Sequence, residues 1–187
     1  MRHECGHLIA AKALCFLTGG IVIESDKLGA QIDLHYSCAN ISEVSDFLMR
    51  RVQVLYTGAI AQTLQGRKID PAQCRLLLDG PPPNGGTAAH DFAKLKELLR
   101  LWIAIRYPNS TLELFGRELE KAQLVLSEAA AKLVIAEATT INDLTAEFMK
   151  LYTSHMRTHK NSKRFEMSKA EIDAVPSVRR RFSNEGP

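Results

Sequence analysis

A five-residue pattern near the start of the chain predicts a helix and gives that helix a chemically distinctive face. Residues 3–7 read His-Glu-Cys-Gly-His, and the apolar residues 8–11 follow directly. Side chains four positions apart stand on the same face of an α-helix, so His3 and His7 point in the same direction. The apolar residues predict that this helix is buried, and burying two imidazoles is costly unless something binds them. We therefore expect a core helix whose two histidines share a metal ion.

The H-E-x-x-H spacing is typical of helices that bind zinc for hydrolysis. Zinc accepts imidazole nitrogens, so His3 and His7 are the candidate ligands. Glu4 has its carboxylate near the same face without necessarily coordinating the ion. There it can take a proton from a metal-bound water and pass it to a leaving amine. The sequence predicts a zinc site in which Glu4 is the catalytic base, although histidines on an ordinary helix face remain the alternative.

A catalytic zinc site has three protein ligands and one open position, so a third ligand is needed from elsewhere. Glu24 follows the helix but is expected at the end of a strand. Asp91 is the better candidate, because it lies in the first turn of a predicted helix that follows the glycine-rich residues 84–86. The helix dipole favours a carboxylate at that position. We expect His3, His7 and Asp91 to be the ligands.

Hydrophobic periodicity predicts a mostly helical α+β domain with a small β-hairpin beside the H-E-x-x-H helix. Residues 67–86 are expected to be irregular, and Thr87 is a candidate cap for the helix that follows. The predicted helices span residues 3–17, 40–66, 87–106, 110–139 and 141–154, and the predicted strands span residues 21–23 and 30–36.

Charge divides the chain into a neutral body and a basic C-terminal segment. Residues 155–187 hold eight Lys or Arg and four Asp or Glu, a net charge of +4, within a total of +3 for all 187 residues. Their apolar periodicity is weak. We predict a domain at residues 1–154 and a basic, flexible tail at residues 155–187.

Cysteine usage and hydrophobicity indicate the compartment in which the protein works. The four cysteines form no C-x-x-C pair and no dense framework, which is typical of free thiols in a reducing cytoplasm. No stretch approaches the ~20 apolar residues that a transmembrane helix requires, so no membrane span is predicted in this chain. We expect a cytoplasmic protein.

The order of the motifs resembles the peptidase domain of the FtsH-type (M41) ATP-dependent zinc peptidases. That family has H-E-x-G-H on one helix, a Leu-Gly before the second strand of a pair, a helix with a Gly-Gly-Arg-Ala-Ala-like stretch, and an Asn-Asp pair opening a later helix. The matching positions here are His3–His7, Leu28-Gly29, Tyr56–Gln62 and His90-Asp91. The match covers about residues 1–150, and no G-x-x-x-x-G-K-[ST] nucleotide loop is present.

The resemblance implies a zinc metalloendopeptidase with ligands His3, His7 and Asp91 and the base Glu4. It also implies that an extended peptide or unfolded protein pairs with the second strand. The substrate-binding residues are then Ala30, Gln31, Ile32, Asp33 and Leu34. A homo-oligomer is implied as well.

Two other functions stay open at this point. The domain could have lost catalysis and serve as a binding or regulatory module, since the chain shows no ATPase motif. Alternatively, the basic tail could contact nucleic acid, which residues 179–181 suggest, although no interleaved aromatic residues or recognition motif support it.

Overall fold

Helices make up most of the chain in the computed structural model, and a small antiparallel sheet lies beside the first of them. The structure describes residues 1–25, 27–34, 37–80, 88–160 and 162–183. The mostly helical α+β fold predicted from the sequence is confirmed. The helices of the described chain are α1 (Arg2–Ala13), α2 (Ile41–Gln62), α3 (Pro71–Asp79), α4 (Ala89–Arg106), α5 (Leu112–Ala136), α6 (Ala138–Thr158), α7 (Lys169–Ala174) and α8 (Pro176–Phe182). The strands are β1 (Thr18–Glu24), β2 (Lys27–Ile32) and β3 (Arg164–Met167).

Helix α1 is buried along most of its length, as its apolar residues predict. Residues 5–11 are all buried. The helix ends four residues earlier than predicted, because Cys15 takes a left-handed conformation with φ 60° and turns the chain towards β1. Arg2 anchors the other end of the helix, where its Nη1 donates to the Leu64 carbonyl over 2.6 Å.

Helices α1 and α2 cross at small residues, which lets their backbones approach closely. A Cβ atom on Gly6 would lie 2.5 Å from Ala61 Cβ and 2.9 Å from the Thr57 carbonyl oxygen. Asn40 caps α2, and its side chain accepts a hydrogen bond from the Glu43 amide. The close crossing brings α2 against the face of α1 that carries the two histidines.

The sheet has the strand order β2-β1-β3, and both neighbouring pairs are antiparallel. The predicted hairpin is therefore present as β1 and β2, with Ile21 opposite Ala30. The strand predicted at residues 30–36 begins earlier, at Lys27, and ends at Ile32. Because β1 is central, β2 forms one edge of the sheet in the described chain, on the side of α1.

The prediction of a separate flexible tail from residue 155 is wrong for the part of it that the structure describes. The proposed boundary falls inside α6, and β3 pairs with β1. Met167, Ile172 and Val178 are almost fully buried in the main hydrophobic core. The segment is ordered because its few apolar residues pack into the core that residues 1–154 form. The hydrophobic periodicity of the segment itself does not indicate this packing.

The expectation for residues 67–86 is wrong in part. Asp70 accepts hydrogen bonds from the amides of Ala72 and Gln73 and so caps α3, in which Pro71 occupies the first turn. The predicted cap Thr87 lies outside the described residues. None of the helices in the described ranges combines the length and the hydrophobicity needed to cross a bilayer.

Candidate metal centre

Three side-chain atoms from α1 and α4 meet at the face of α1 that the H-E-x-x-H pattern defines. His3 Nε2 and His7 Nε2 are 2.9 Å apart, and Asp91 Oδ2 lies 2.9 Å from each of them. The atoms therefore form a nearly equilateral triangle. The structure brings together the three residues that the sequence predicts as ligands.

The outer nitrogens of both histidines contact oxygen atoms, and these contacts fix the tautomers of the two rings. His7 Nδ1 is 2.8 Å from the Val54 carbonyl oxygen, which can only accept a hydrogen bond. His3 Nδ1 is 3.3 Å from Gln62 Oε1. His7 Nδ1 must therefore donate, which leaves the lone pair of its Nε2 at the centre of the triangle, and His3 presents its Nε2 in the same way when its Nδ1 donates to Gln62 Oε1.

Protons alone do not satisfy this arrangement. The two Nε2 atoms face each other at 2.9 Å and can share one proton at most, so a second proton on each ring would bring two donors into contact. A cation satisfies all three atoms at once. Zinc binds imidazole nitrogen and carboxylate oxygen at about 2.0–2.2 Å, so the ligands of a tetrahedral zinc lie about 3.3–3.6 Å apart. The donor set fits zinc, and the three atoms would move apart by only about half an ångström to hold it.

Asp91 is presented from the first turn of α4, where the helix dipole favours a carboxylate. Burial acts to raise the pKa of the Asp91 carboxyl, but its contacts with His3 and His7 outweigh burial and hold that pKa well below its usual range. The side chain is 20% exposed. Asp91 is therefore an anion at neutral pH, ready to coordinate a cation.

Glu4 lies beside the triangle and reaches the edge strand. One of its carboxylate oxygens lies within 4.8 Å of a ring nitrogen of His3 and of a ring nitrogen of His7. Its Oε2 accepts a hydrogen bond of 2.9 Å from the Ala30 amide. That amide points away from β1, towards the open edge of the sheet. The carboxylate thus stands between the metal position and the strand that the resemblance assigns to substrate binding.

Gly58 provides the space in which the two imidazoles lie. A Cβ atom at this position would be 2.4 Å from His7 Nε2 and 2.8 Å from His3 Nε2. No L-residue with a side chain fits there unless the rings move. The mid-helix glycine, which costs about 1 kcal/mol of helix stability relative to alanine, therefore has a role in the site.

The predicted substrate-binding residues divide between two environments. Ala30 and Ile32 line a cavity of about 520 Å³ together with His3, His7 and Asp91. Gln31 turns the other way, and its Oε1 accepts a hydrogen bond from the Gly20 amide. Asp33 and Leu34 follow the end of β2, and the Asp33 amide donates to the Leu17 carbonyl. The structure places two of the five residues at the cavity.

Three residues of α2 that are not predicted from the sequence also line the cavity. These residues are Arg51, Leu55 and Gln62. Together with Gly58 they are spaced at i, i+4, i+7 and i+11, which places them on one face of a helix. That spacing is visible in the sequence once Gly58 is recognised as a contact point.

Cys5, inside the H-E-x-x-H pattern, lies outside the site. The thiol is fully buried, forms a hydrogen bond with Thr145, and has its pKa raised to about 11, chiefly by burial. It packs in the core as a neutral group and is not a ligand.

Comparison of the sequence with protein-family models and with curated proteins gave no match.

Proposed function

We propose that the protein is a zinc-dependent metalloendopeptidase that hydrolyses peptide bonds in extended or unfolded substrates. The observation that carries the proposal is the convergence of three acceptor atoms, His3 Nε2, His7 Nε2 and Asp91 Oδ2, beside the carboxylate of Glu4. When bound, zinc would polarise the scissile carbonyl and lower the pKa of a water molecule. The ligands are two neutral imidazoles and one carboxylate.

Glu4 performs the proton transfers in this proposal. It accepts the proton of the attacking water and delivers it to the leaving amine. The hydrogen bond from the Ala30 amide to Oε2 holds the carboxylate at the edge of β2, next to the place where a peptide backbone would lie. Val54 and Gln62 keep His7 and His3 in the tautomers that present Nε2 to the ion.

The proposed substrate lies along β2. Because β2 is an edge strand, an extended peptide can add to the sheet through main-chain hydrogen bonds, which explains a preference for unfolded chains. The nucleic-acid alternative is less well supported, since several basic groups of the C-terminal segment pair with acids. Arg164 contacts Glu24 and Glu166, and Arg181 Nε donates to Glu137 over 2.7 Å. The four free cysteines support a cytoplasmic setting.

The first test of the proposal is zinc content beside hydrolysis of an unstructured, casein-like substrate. Wild-type protein should bind about one zinc per chain and cut the substrate. Asp91→Ala should lose most of the zinc, whereas Asp143→Ala, at an exposed position on α6, should keep it. Glu4→Gln should keep the zinc and lower kcat by about 10²–10⁴-fold, the usual contribution of general acid–base catalysis.

Each result bears on a different residue. Full zinc binding by Asp91→Ala removes Asp91 from the ligand set. Rapid hydrolysis by Glu4→Gln removes Glu4 from its role as base. A wild-type protein that binds zinc and peptide but cuts nothing would be a metallopeptidase-like binding module.

A further inference from the structure

Two cationic side chains in the metal cavity have no part in the mechanism above. Arg51 from α2 and Lys94 from α4 line the cavity together with His3, Glu4, His7 and Asp91. Lys94 is one helical turn after Asp91, so it stands on the same face of α4. Both side chains therefore face the space that a bound peptide would occupy.

Arg51 has donor capacity that the described residues do not use. Its Nη1 is buried and has no hydrogen-bond acceptor in the described chain. A buried donor of a charged group without a partner is unfavourable, and a ligand that supplies an acceptor removes that cost. Burial lowers the pKa of Arg51 from its ordinary value, while the charge of Asp91 opposes this. The guanidinium is thus a cation with one buried N–H group that a ligand could engage.

Asp91 places a negative charge near Arg51 but accepts no hydrogen bond from its Nη1. Its Oδ2 is directed at His3 and His7. The charged side chains of the cavity are two acids, Glu4 and Asp91, and two bases, Arg51 and Lys94, so they cancel. A divalent cation then adds two positive charges. The loaded cavity attracts an anionic group, and the fork of an arginine suits a carboxylate.

We propose that Arg51, assisted by Lys94, forms a carboxylate-binding subsite that makes the protein prefer peptides with a carboxylate near the bond to be cut. The inference rests on the proposed peptidase function and specifies its substrate class. The carboxylate belongs either to an Asp or Glu side chain or to a free C-terminus, since both present the same group to a guanidinium.

The test measures peptide binding, so that it does not depend on turnover. Zinc-loaded Glu4→Gln protein is titrated with fluorescent peptides that have amidated C-termini and carry either Glu or Gln at one position, scanned along the peptide. At one position Glu should bind about tenfold to hundredfold more tightly than Gln, as expected for charge-assisted hydrogen bonds. A third peptide, with neutral side chains and a free C-terminus, identifies the second source of the carboxylate.

The variants separate Arg51 from general effects of charge. Adding Arg51→Gln should abolish the preference without changing zinc content or the affinity for neutral peptides, and Arg51→Lys should retain part of it. Arg50→Gln is the matched control, because Arg50 is the adjacent arginine of α2 and donates to the Leu14 carbonyl, away from the cavity. Lys94→Gln, at an exposed position, should reduce the preference and provides a test if Arg51→Gln does not fold.

The outcomes for the subsite and for the peptidase are distinct. Equal affinity for all three peptides, absence of peptide binding, or a preference that persists in Arg51→Gln would overturn the subsite. Binding preference without hydrolysis by the wild type would overturn the peptidase and leave the subsite standing. Hydrolysis of Glu and Gln peptides at equal kcat/KM would overturn the subsite alone.

Discussion

Gly58 sets the distance between α2 and the imidazoles of α1. The rings of His3 and His7 meet edge to face with their centroids 4.5 Å apart. They occupy the space that a side chain at position 58 would fill. Close packing makes such a contact intolerant of a single added carbon. The geometry of the proposed metal site thus depends on a residue that cannot itself coordinate a metal.

Gly58→Ala should therefore remove the metal while leaving the chain folded. The new Cβ would displace His7 and His3 from the triangle, and we expect zinc affinity to fall at least as far as the roughly 10–100-fold that lost support of a ligand causes. Zinc titration with a competing chelator measures the change. Unchanged affinity would show that the rings do not need this space.

Gly116→Ala is the matched control. Nothing lies within 4 Å of a Cβ at Gly116, which is also inside a helix, α5. Alanine there should keep zinc binding and raise the free energy of unfolding by about 0.5–1 kcal/mol, because alanine is the better helix former. Denaturant titration of both variants separates the loss of the site from the gain in helix propensity.

At this scale the sequence predicts residues whose roles follow from spacing along one helix. His3, Glu4 and His7 are such residues, and Asp91 could be added from its position in a first turn. The structure places them as expected. Arg51 and Gln62 could not be found in the same way, because their place in the site depends on how α2 crosses α1.

Strand β2 offers its outer edge to a partner, and Glu4 occupies one donor on that edge. Because the Ala30 amide bonds to Glu4, a peptide that paired with β2 would lie directly against the carboxylate that we propose as the base. In that proposal the edge strand and the base are coupled. Binding at the edge and proton transfer would use the same stretch of backbone.

Ala30→Pro tests this coupling, since proline removes the amide hydrogen without taking one from the ladder to β1. Zinc content and peptide affinity should stay near the wild-type level, and kcat should fall by roughly threefold to tenfold, because the one hydrogen bond that holds Glu4 is lost. Hydrolysis of an unstructured substrate measures kcat, and fluorescence anisotropy measures peptide affinity. Ala30→Gly keeps the amide and should match the wild type; a similar loss of kcat in both variants would point to a general distortion of β2.

The elements predicted from periodicity are found where a helix has a long apolar stripe and a cap in its own sequence. Helix α2, with Asn40 as its cap, is an example. The predicted end of α1 lies four residues too far along the chain, because Gly19 and Gly20, which are typical of a helix end, belong to β1. Helix α3 was missed because its nine residues were grouped with the prolines that follow them.

The C-terminal segment completes the core of the whole molecule. Met167 at the end of β3 is fully buried, and Arg181 reaches Glu137, which is 5% exposed at the junction of α5 and α6. Residues of the C-terminal segment thereby contact β1 and the junction of α5 and α6, which are far from them in sequence. Stability should depend on this segment as strongly as on the helices near the site.

Met167→Ala should lower the free energy of unfolding by about 2–5 kcal/mol, the range for truncating a fully buried methionine. At about 2–4 °C per kcal/mol for a protein of this size, the loss is large in thermal unfolding. Met149→Ala is the control, since Met149 is 42% exposed on α6 and should cost less than about 1 kcal/mol. Equal losses would place Met167 outside the cooperative core.

At the scale of the molecule the sequence predicts the class of the fold but not the packing of the C-terminal segment against the rest of the chain. The segment from residue 155 has many charges and short apolar stretches, so local patterns indicate a solvated tail. Its order depends on partners elsewhere, such as Lys12 on α1, whose Nζ is 2.6 Å from Asp173 Oδ1. Contacts of this kind are decided by tertiary packing, which single-sequence periodicity does not contain.

The strand order β2-β1-β3 also has a consequence in time. Arg164 and Glu24, which pair across β1 and β3, are 140 residues apart. A ribosome adding about 5–20 residues per second needs roughly 7–28 s to deliver the second after the first. During that interval the hairpin has both flanks open, and an unpaired strand is a template for any other extended chain. The flank of β1 that β3 covers in the folded chain is therefore open to pairing with other extended chains during synthesis.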